Sequence, residues 1–367
     1  VETGERLTFG FLFSEKGRIE MKKKLLKPLL CMLAMVLILT LLTSCSNDRS
    51  SSGTDKNVIV DQLGRTVEYP DKVEKVSAGH IYAGKMLFAM GQKEKIAYQL
   101  QIGADTEALA KVDEFYGSLP TVLSAPNGVD SPEGLLALGV DVVFTDAGKG
   151  EEEAAVFQNA GIPAIAVSGE TFDEVYETAR IMGDVLDCPE RTQEVIDFIE
   201  DLRNMVSSRV KDISDDEKPV VMVCGSGGVY TAATADMFQH QMVETAGGIN
   251  AGANLNGKWA NVSAEDIILW DPDYIVLGSS FGVDDVESVL TDPALQTVTA
   301  IKNKDVYIFP STLGWWDFPL PQSVLGIIWT AKTIHPDQFT DINMLEMADS
   351  VYEFIYGYTY SELGGVL

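Results

Sequence analysis

Short apolar runs alternate along this chain with stretches whose apolar residues recur every third or fourth position, the signature of strands and amphipathic helices in succession. Runs at 73–78, 96–99, 142–145 and 165–167 predict strands. Helical spacing predicts helices over 82–90, 106–115, 132–138, 151–159 and 172–186. Ahead of them, 58–61 and 66–69 flank Gln62-Leu63-Gly64-Arg65 and predict a hairpin closing on Pro70. Strand and helix alternating in this way imply an α/β fold with mostly parallel sheets covered on both faces.

The stretch 190–211 carries Val195, Ile199, Leu202, Val206 and Val210 at helical spacing. About 22 residues at a rise of ~1.5 Å make a rod of roughly 33 Å, long enough to bridge two lobes. A polar breaker at 212–218 ends at Pro219, and the alternation restarts. Strands are predicted at 220–224, 274–277 and 306–309, and helices near 237–245, 264–269, 283–290, 322–334 and 344–356.

The opening of the chain reads differently. From Met21 a basic cluster, Lys22-Lys23-Lys24 with Lys27, precedes an apolar run over 29–42 and then Thr43-Ser44-Cys45. A basic n-region followed by a short h-region predicts a secretory signal at 21–44. Leu42-Thr43-Ser44-Cys45 resembles the lipobox of bacterial lipoproteins, which implies lipidation of Cys45; an uncleaved anchor helix is the alternative. Residues 1–20 lack the pattern of a signal and are expected to be untranslated upstream sequence, with a purine-rich stretch encoding Lys16-Gly17-Arg18 shortly before Met21. Residues 45–57 have the composition of a flexible tether. The expected organisation is then a first lobe at 58–187, a linking helix at 188–212 and a second lobe at 213–367.

Charge narrows the function. The 27 Lys+Arg stand against 55 Asp+Glu, a formal net charge of -28. Such a surface repels phosphate backbones, so nucleic acid is excluded as a partner. Cys188 and Cys224 lie on different predicted elements without CxxC spacing, and neither a zinc nor a redox motif is visible. A bridge between them is not expected.

One motif is written twice. Ser131-Pro132-Glu133-Gly134-Leu135-Leu136 precedes Asp141-Val142-Val143, and Ser263-Ala264-Glu265-Asp266-Ile267-Ile268 precedes Asp273-Tyr274-Ile275, with the same Glu-to-Asp offset. Each copy alone reads as an ordinary helix start. Agreement of helix, turn and strand in both copies points to two lobes of like topology.

With these residues the chain resembles the substrate-binding lipoproteins of ABC importers for ferric siderophores, haem and corrinoids, whose lobes are joined by one long helix. The resemblance runs over 58–340 and also rests on Val60-Asp61 with Gly64-Arg65, Val67 and Pro70, on Gly91 after the first helix, and on Asn303-Lys304-Asp305-Val306-Tyr307 before Pro310. It implies a class III periplasmic-binding-protein fold, two Rossmann-like lobes on a single long α-helix. It also implies a monomer outside the cytoplasm, anchored to the membrane through Cys45, which delivers a metal chelate to an ABC permease and its ATPase. Glu133 and Glu265 occupy the places of the family's permease-docking carboxylates. First-turn carboxylates serving only the helix dipole are the alternative.

Parallel sheets bind ligands beyond the carboxyl ends of their strands. The candidate ligand contacts are therefore His80, Tyr82, Gln99 and Asp146 from the first lobe, and Ser226, Tyr230, Lys258, Trp259, Ser280, Trp315, Trp316 and Asp317 from the second. Flat aromatics in Gly314-Trp315-Trp316-Asp317-Phe318-Pro319 suit a large chelate or macrocycle; for either Trp alone, a plug beneath the loop is an equal reading. No second His or Cys stands at ligand spacing from His80, so no dedicated metal site and no cofactor of the protein itself are expected. His240 reads as structural or solvent-facing and His335 as a helix end.

Arg180, Arg191, Arg203 and Arg209 fall on outer or linking helices, Arg65 in the hairpin and Arg49 in the tether, which leaves Lys85, Lys149 and Lys258 near candidate loops. A strongly anionic ligand needs several buried cations, so the sequence favours a neutral, weakly charged or cationic ligand such as a hydroxamate-type ferric chelate, with corrinoid or haem as alternatives. Gly225-Ser226-Gly227-Gly228 lacks the third Gly of a dinucleotide loop and the Lys of a P-loop, and no nucleophile elbow or triad is present. An enzyme is not expected, with a secreted lipoprotein hydrolase acting in the cleft as the rival from another class.

Overall fold

The computed structural model describes residues 57–78, 81–99, 103–121, 131–225, 227–278 and 285–367. The expected signal, lipidation site and nearly all of the tether lie outside the described residues. Strands β1 (Asn57–Val60) and β2 (Thr66–Tyr69) pair antiparallel around Gly64, whose φ of 75° makes the turn. The buried Asp61 carboxylate accepts from the backbone N–H groups of Leu63 (3.1 Å) and Arg65 (3.0 Å) and pairs with the Arg65 guanidinium. Gln62 N–H donates to the carbonyl of Ala166 at 3.1 Å and fastens the hairpin to the first sheet.

That sheet holds β3 (Val76–Ala78), β4 (Val142–Asp146) and β5 (Ala164–Val167), parallel and in this order. Apart from Ser77, Thr145 and the half-buried Asp146 its residues are buried and apolar, because helices cover both faces. The rod follows as a helix over Pro189–Val210, 22 residues with Pro at its first turn. Val195, Ile199, Val206 and Val210 form its buried stripe.

Beyond the rod come β6 (Val220–Cys224), β7 (Thr231–Ala233), β8 (Ile249–Asn250), β9 (Trp259–Asn261), β10 (Tyr274–Leu277) and β11 (Val306–Ile308). The second sheet is parallel with order β11-β10-β6-β8, and β7 and β9 form a separate antiparallel pair. The two parallel sheets are thus distinct.

The duplicated motif builds the same unit twice. Ser131 caps the helix Pro132–Leu138 by accepting from Gly134 N–H, and Ser263 caps Ala264–Trp270 by accepting from Asp266 N–H. Both helices end on a left-handed residue, Gly139 (φ 73°) and Asp271 (φ 43°). The motif's Asp then clamps the entry to the first strand of its own sheet. Asp141 accepts from the N–H groups of Glu74 (2.8 Å) and Lys75 (2.9 Å) ahead of β3, and Asp273 from that of Val220 (2.8 Å) at the start of β6.

Several expectations need correction. The predicted strand at 96–99 is reduced to isolated bridges, Ile96 with Val76 and Gln99 with Thr121. The predicted helix at 106–115 breaks in two, Ala104–Val112 and Glu114–Ser118, because the Asp113 carboxylate accepts from Tyr116 N–H at 2.8 Å and caps a new start. The last helix, Met344–Tyr356, is expected to belong with the second lobe alone, but it packs against the first as well. Tyr356 meets Phe88 edge-on, with ring centroids 5.6 Å apart. Phe354 stacks at 3.9 Å on Phe198 of the rod, and the Tyr358 hydroxyl donates to Asp113 at 3.2 Å.

Candidate functional site

The carboxyl ends of β4 and β5 lead into the loops at Asp146 and Ser168, and those of β6 and β10 into Gly225 and Gly278. Residues of both lobes line a cavity of about 460 Å³, with Gln62, Gly148, Ser168, Glu170 and Glu174 from the first and Asp236, Gly257 and Lys258 from the second. Lys258 Nζ spans the two lobes to reach Glu170 Oε1 at 2.6 Å. Deeper along the same seam, Phe172 and Phe238 approach with ring centroids 4.5 Å apart, and Phe172 N–H donates to Gln241 Oε1 at 2.9 Å. The space between the lobes is therefore open at one part of its length and filled at another.

Glu174 organises the first-lobe rim. Its Oε2 accepts from Ser168 Oγ (2.9 Å) and Glu170 N–H (2.8 Å), so one carboxylate holds the rim on both sides of Gly169. Glu177, one turn further on the same helix, also lines the cavity. With Glu170, Glu174, Glu177 and Asp236 set against Lys258, the lining is acidic. Glu174, Glu177 and Asp236 are absent from the sequence-based selection. Their signal was the spacing Glu170, Glu174, Glu177, which places all three near one helix start just after a strand.

The predicted contacts divide. His80, Ser226 and Ser280 lie outside the described residues. Tyr82 is a core residue: its ring is enclosed and its hydroxyl donates to the Val175 carbonyl at 2.7 Å, while burial pushes the phenol well above its ordinary range. Trp316 is likewise enclosed, 5.9 Å from the ring of Tyr360, and plugs the core beneath its loop. The Tyr230 hydroxyl is taken by Asp292 at 2.7 Å, and the Gln99 amide donates to the carbonyls of Gly117 (2.9 Å) and Leu119 (3.1 Å). Asp146 caps its own turn by accepting from Gly148 N–H at 2.8 Å, beside the cavity wall.

Trp315 is half-buried, 5.8 Å from Phe318 in an edge-on contact. Half-buried Trp259 lies flat on Gly225, where any Cβ would fall inside the indole, so only glycine admits this approach. Asp317 is buried at the end of β10. Its Oδ2 would stand 2.8 Å from a Cβ on Gly278, and its carbonyl accepts from Gln239 Nε2 at 2.6 Å. Glu133 and Glu265 are both exposed.

Beneath the aromatic loop lies a polar cluster. Lys85 and Asp105 pair at 2.5 Å with neither side chain exposed, so Lys85 is not a free cation for a ligand. Gly314 (φ 65°) passes over them; a Cβ there would stand 2.7 Å from Asp105 Oδ2 and 2.8 Å from Gln322 Nε2. Lys149 pairs with Glu153 at 3.1 Å. His240 faces Glu244 at 3.5 Å, and His335 ends the helix Val324–Ile334 with Nε2 at 3.1 Å from the Gly247 carbonyl. Cys188 and Cys224 are not bridged to each other. Among the described residues no group of three His, Cys, Asp or Glu side chains is placed to hold a metal, and no helix is long and apolar enough to cross a membrane.

Comparison with known proteins agrees with this geometry. The chain is 25% identical over 355 residues to the molybdate-binding protein MolA of Haemophilus influenzae, covering 89% of this chain and 97% of that protein. A periplasmic solute-binding protein of Veillonella parvula superposes with a TM-score of 0.69 at 22% identity, covering 85% of this chain and 96% of that one. Helicobacter pylori CeuE in a Ni-His complex does so with a TM-score of 0.67 at 19% identity, covering 84% and 98%. The fold is that of class III periplasmic binding proteins, extracytoplasmic solute binders that serve ABC importers. With residues 85–313 matching the family's model, the chain belongs to the periplasmic binding protein family.

Proposed function

We propose that this chain is the lipid-anchored capture subunit of an ABC importer, tethered through Cys45. It takes a neutral or cationic metal chelate, a ferric hydroxamate siderophore first, between its lobes and passes it to the permease and ATPase as a monomer, docking through Glu133 and Glu265. Corrinoid or haem binding is the alternative on the same scaffold. The observation that carries the ligand class is the charge of the cavity: Glu170, Glu174, Glu177 and Asp236 face a single Lys258, itself paired with Glu170. Among the described residues, an anion entering there meets carboxylates without buried cations to offset them, whereas a cationic or neutral chelate does not.

A second reading is a free oxyanion, because the molybdate-binding relative aligns over 89% of this chain. The acidic lining speaks against it. Thermal unfolding of the full chain with a ferric trihydroxamate, cyanocobalamin, haemin and sodium molybdate separates these readings. The true ligand stabilises by about 2.7 kcal/mol at one hundred times its dissociation constant and is not turned over. A shift with molybdate alone would overturn the chelate.

A further inference from the structure

The duplicated motif exposes more than its carboxylates. In each copy the residue two positions after the Glu, Leu135 or Ile267, is buried at 0% exposure and belongs to a hydrophobic core. The residue after that is aliphatic and left in solvent: Leu136 at 50% and Ile268 at 42%, with Leu269 beyond it at 82%. Three or four residues from the Glu on a helix is the same face, so each lobe presents a carboxylate beside an aliphatic side chain. Neither the cap nor the Asp clamp requires an exposed Leu or Ile at these positions, yet both copies have one.

The geometry points to a composite docking patch on each lobe, Glu133 with Leu136 and Glu265 with Ile268 and Leu269. Its partner is a two-fold symmetric membrane protein that offers, twice, a basic group rimmed by apolar surface. This rests on the importer reading and deepens it: the carboxylates set orientation and encounter, and the aliphatic groups lengthen the life of the complex. A patch repeated in the same register matches a partner whose own surface is repeated by symmetry. The chain's net charge of -28 opposes both a second copy of itself and an anionic lipid surface as the occupant.

The test uses the full chain against the permease–ATPase complex of the importer proposed above, in lipid nanodiscs, with binding read by interferometry and stability by thermal unfolding. Leu136→Ser with Leu269→Ser weakens binding about tenfold, mainly through faster dissociation, with the melting temperature unchanged. Glu133→Lys with Glu265→Lys slows association and abolishes the complex. If the Glu variants lose binding and the Leu variants do not, the importer reading stands and the composite patch is overturned. If wild type does not bind the complex, both fall. Binding to empty nanodiscs, or a dimer in light scattering, that Leu269→Ser removes assigns the patch to lipid or to a second copy and overturns the proposal.

Discussion

The Lys85 ammonium stands 2.5 Å from the Asp105 carboxylate, and both side chains are shut away from solvent. Burial pulls Lys85 below its ordinary value while the charge of Asp105 holds it up. The pair sits where helices of the first lobe meet Gly314, Gln322 and the last helix; the Tyr356 hydroxyl donates to Gln322 Oε1 at 3.0 Å beside it. The floor under the aromatic loop is therefore ionic.

Removing one partner strands the other charge. Lys85→Met or Asp105→Leu is expected to lower stability by about 3–5 kcal/mol, and the double variant by much less than the sum. Urea unfolding of the three variants measures this. Additive single effects would show that the two charges are not coupled.

The neighbouring tryptophans should separate cleanly. Trp316 is enclosed and Trp315 half-buried. Trp316→Ala is expected to cost about 3–5 kcal/mol through the cavity it leaves. Trp315→Ala should cost no more than about 1.5 kcal/mol but reduce the quenching of tryptophan fluorescence by a ferric chelate. Quenching of the same extent in Trp315→Ala would place the chelate away from this loop.

These two residues also mark how far the sequence could be read. Adjacent Trp in a loop after a strand signals two rings needing cover, but which one turns inward is decided by Tyr360, far along the chain. The helix starts at Ser131 and Ser263, the rod and the parallel strands other than β8 were legible because caps, periodicity and apolar runs act over a few residues. The placement of Met344–Tyr356 was not. Its apolar face is plain in the sequence, but an amphipathic stripe does not say that it will meet both lobes. The acidic cavity was missed in part because Glu174 and Glu177 read as helix surface until the second lobe brought Asp236 and Lys258 opposite.

Acid should loosen the second lobe through His335. Burial depresses its pKa, against the opposing bond to the Gly247 carbonyl. A histidine whose folded-state pKa lies below the unfolded value of about 6.5 leaves the unfolded chain binding more protons between the two values. Its contribution to stability is full above about pH 6.5 and lost as pH falls from there through the folded-state pKa. Urea midpoints across that window should drop in wild type and flatten in His335→Gln. Parallel slopes would assign the acid sensitivity to other groups.

The last helix adds a second tie between the lobes, and Phe354 is its fastening to the rod. The ring stacks on Phe198 with centroids 3.9 Å apart and planes 14° from parallel, and the Arg191 guanidinium lies 4.3 Å from its centroid. Arg191 Nη2 also donates to the Phe354 carbonyl at 2.9 Å, while Tyr352 donates to Leu313 at the base of the aromatic loop. A chain held by both rod and strap has little freedom to swing its lobes, so ligand capture should involve modest closure. Phe354→Ala removes the stack and the cation–π contact and is expected to cost about 2 kcal/mol. Amide exchange should quicken over 344–356 while 132–138 keeps its protection, because the strap opens without unfolding the first sheet. Small-angle scattering with and without a bound chelate should then show a larger change in the variant than in wild type. An equal change in both would mean that the rod alone sets the hinge.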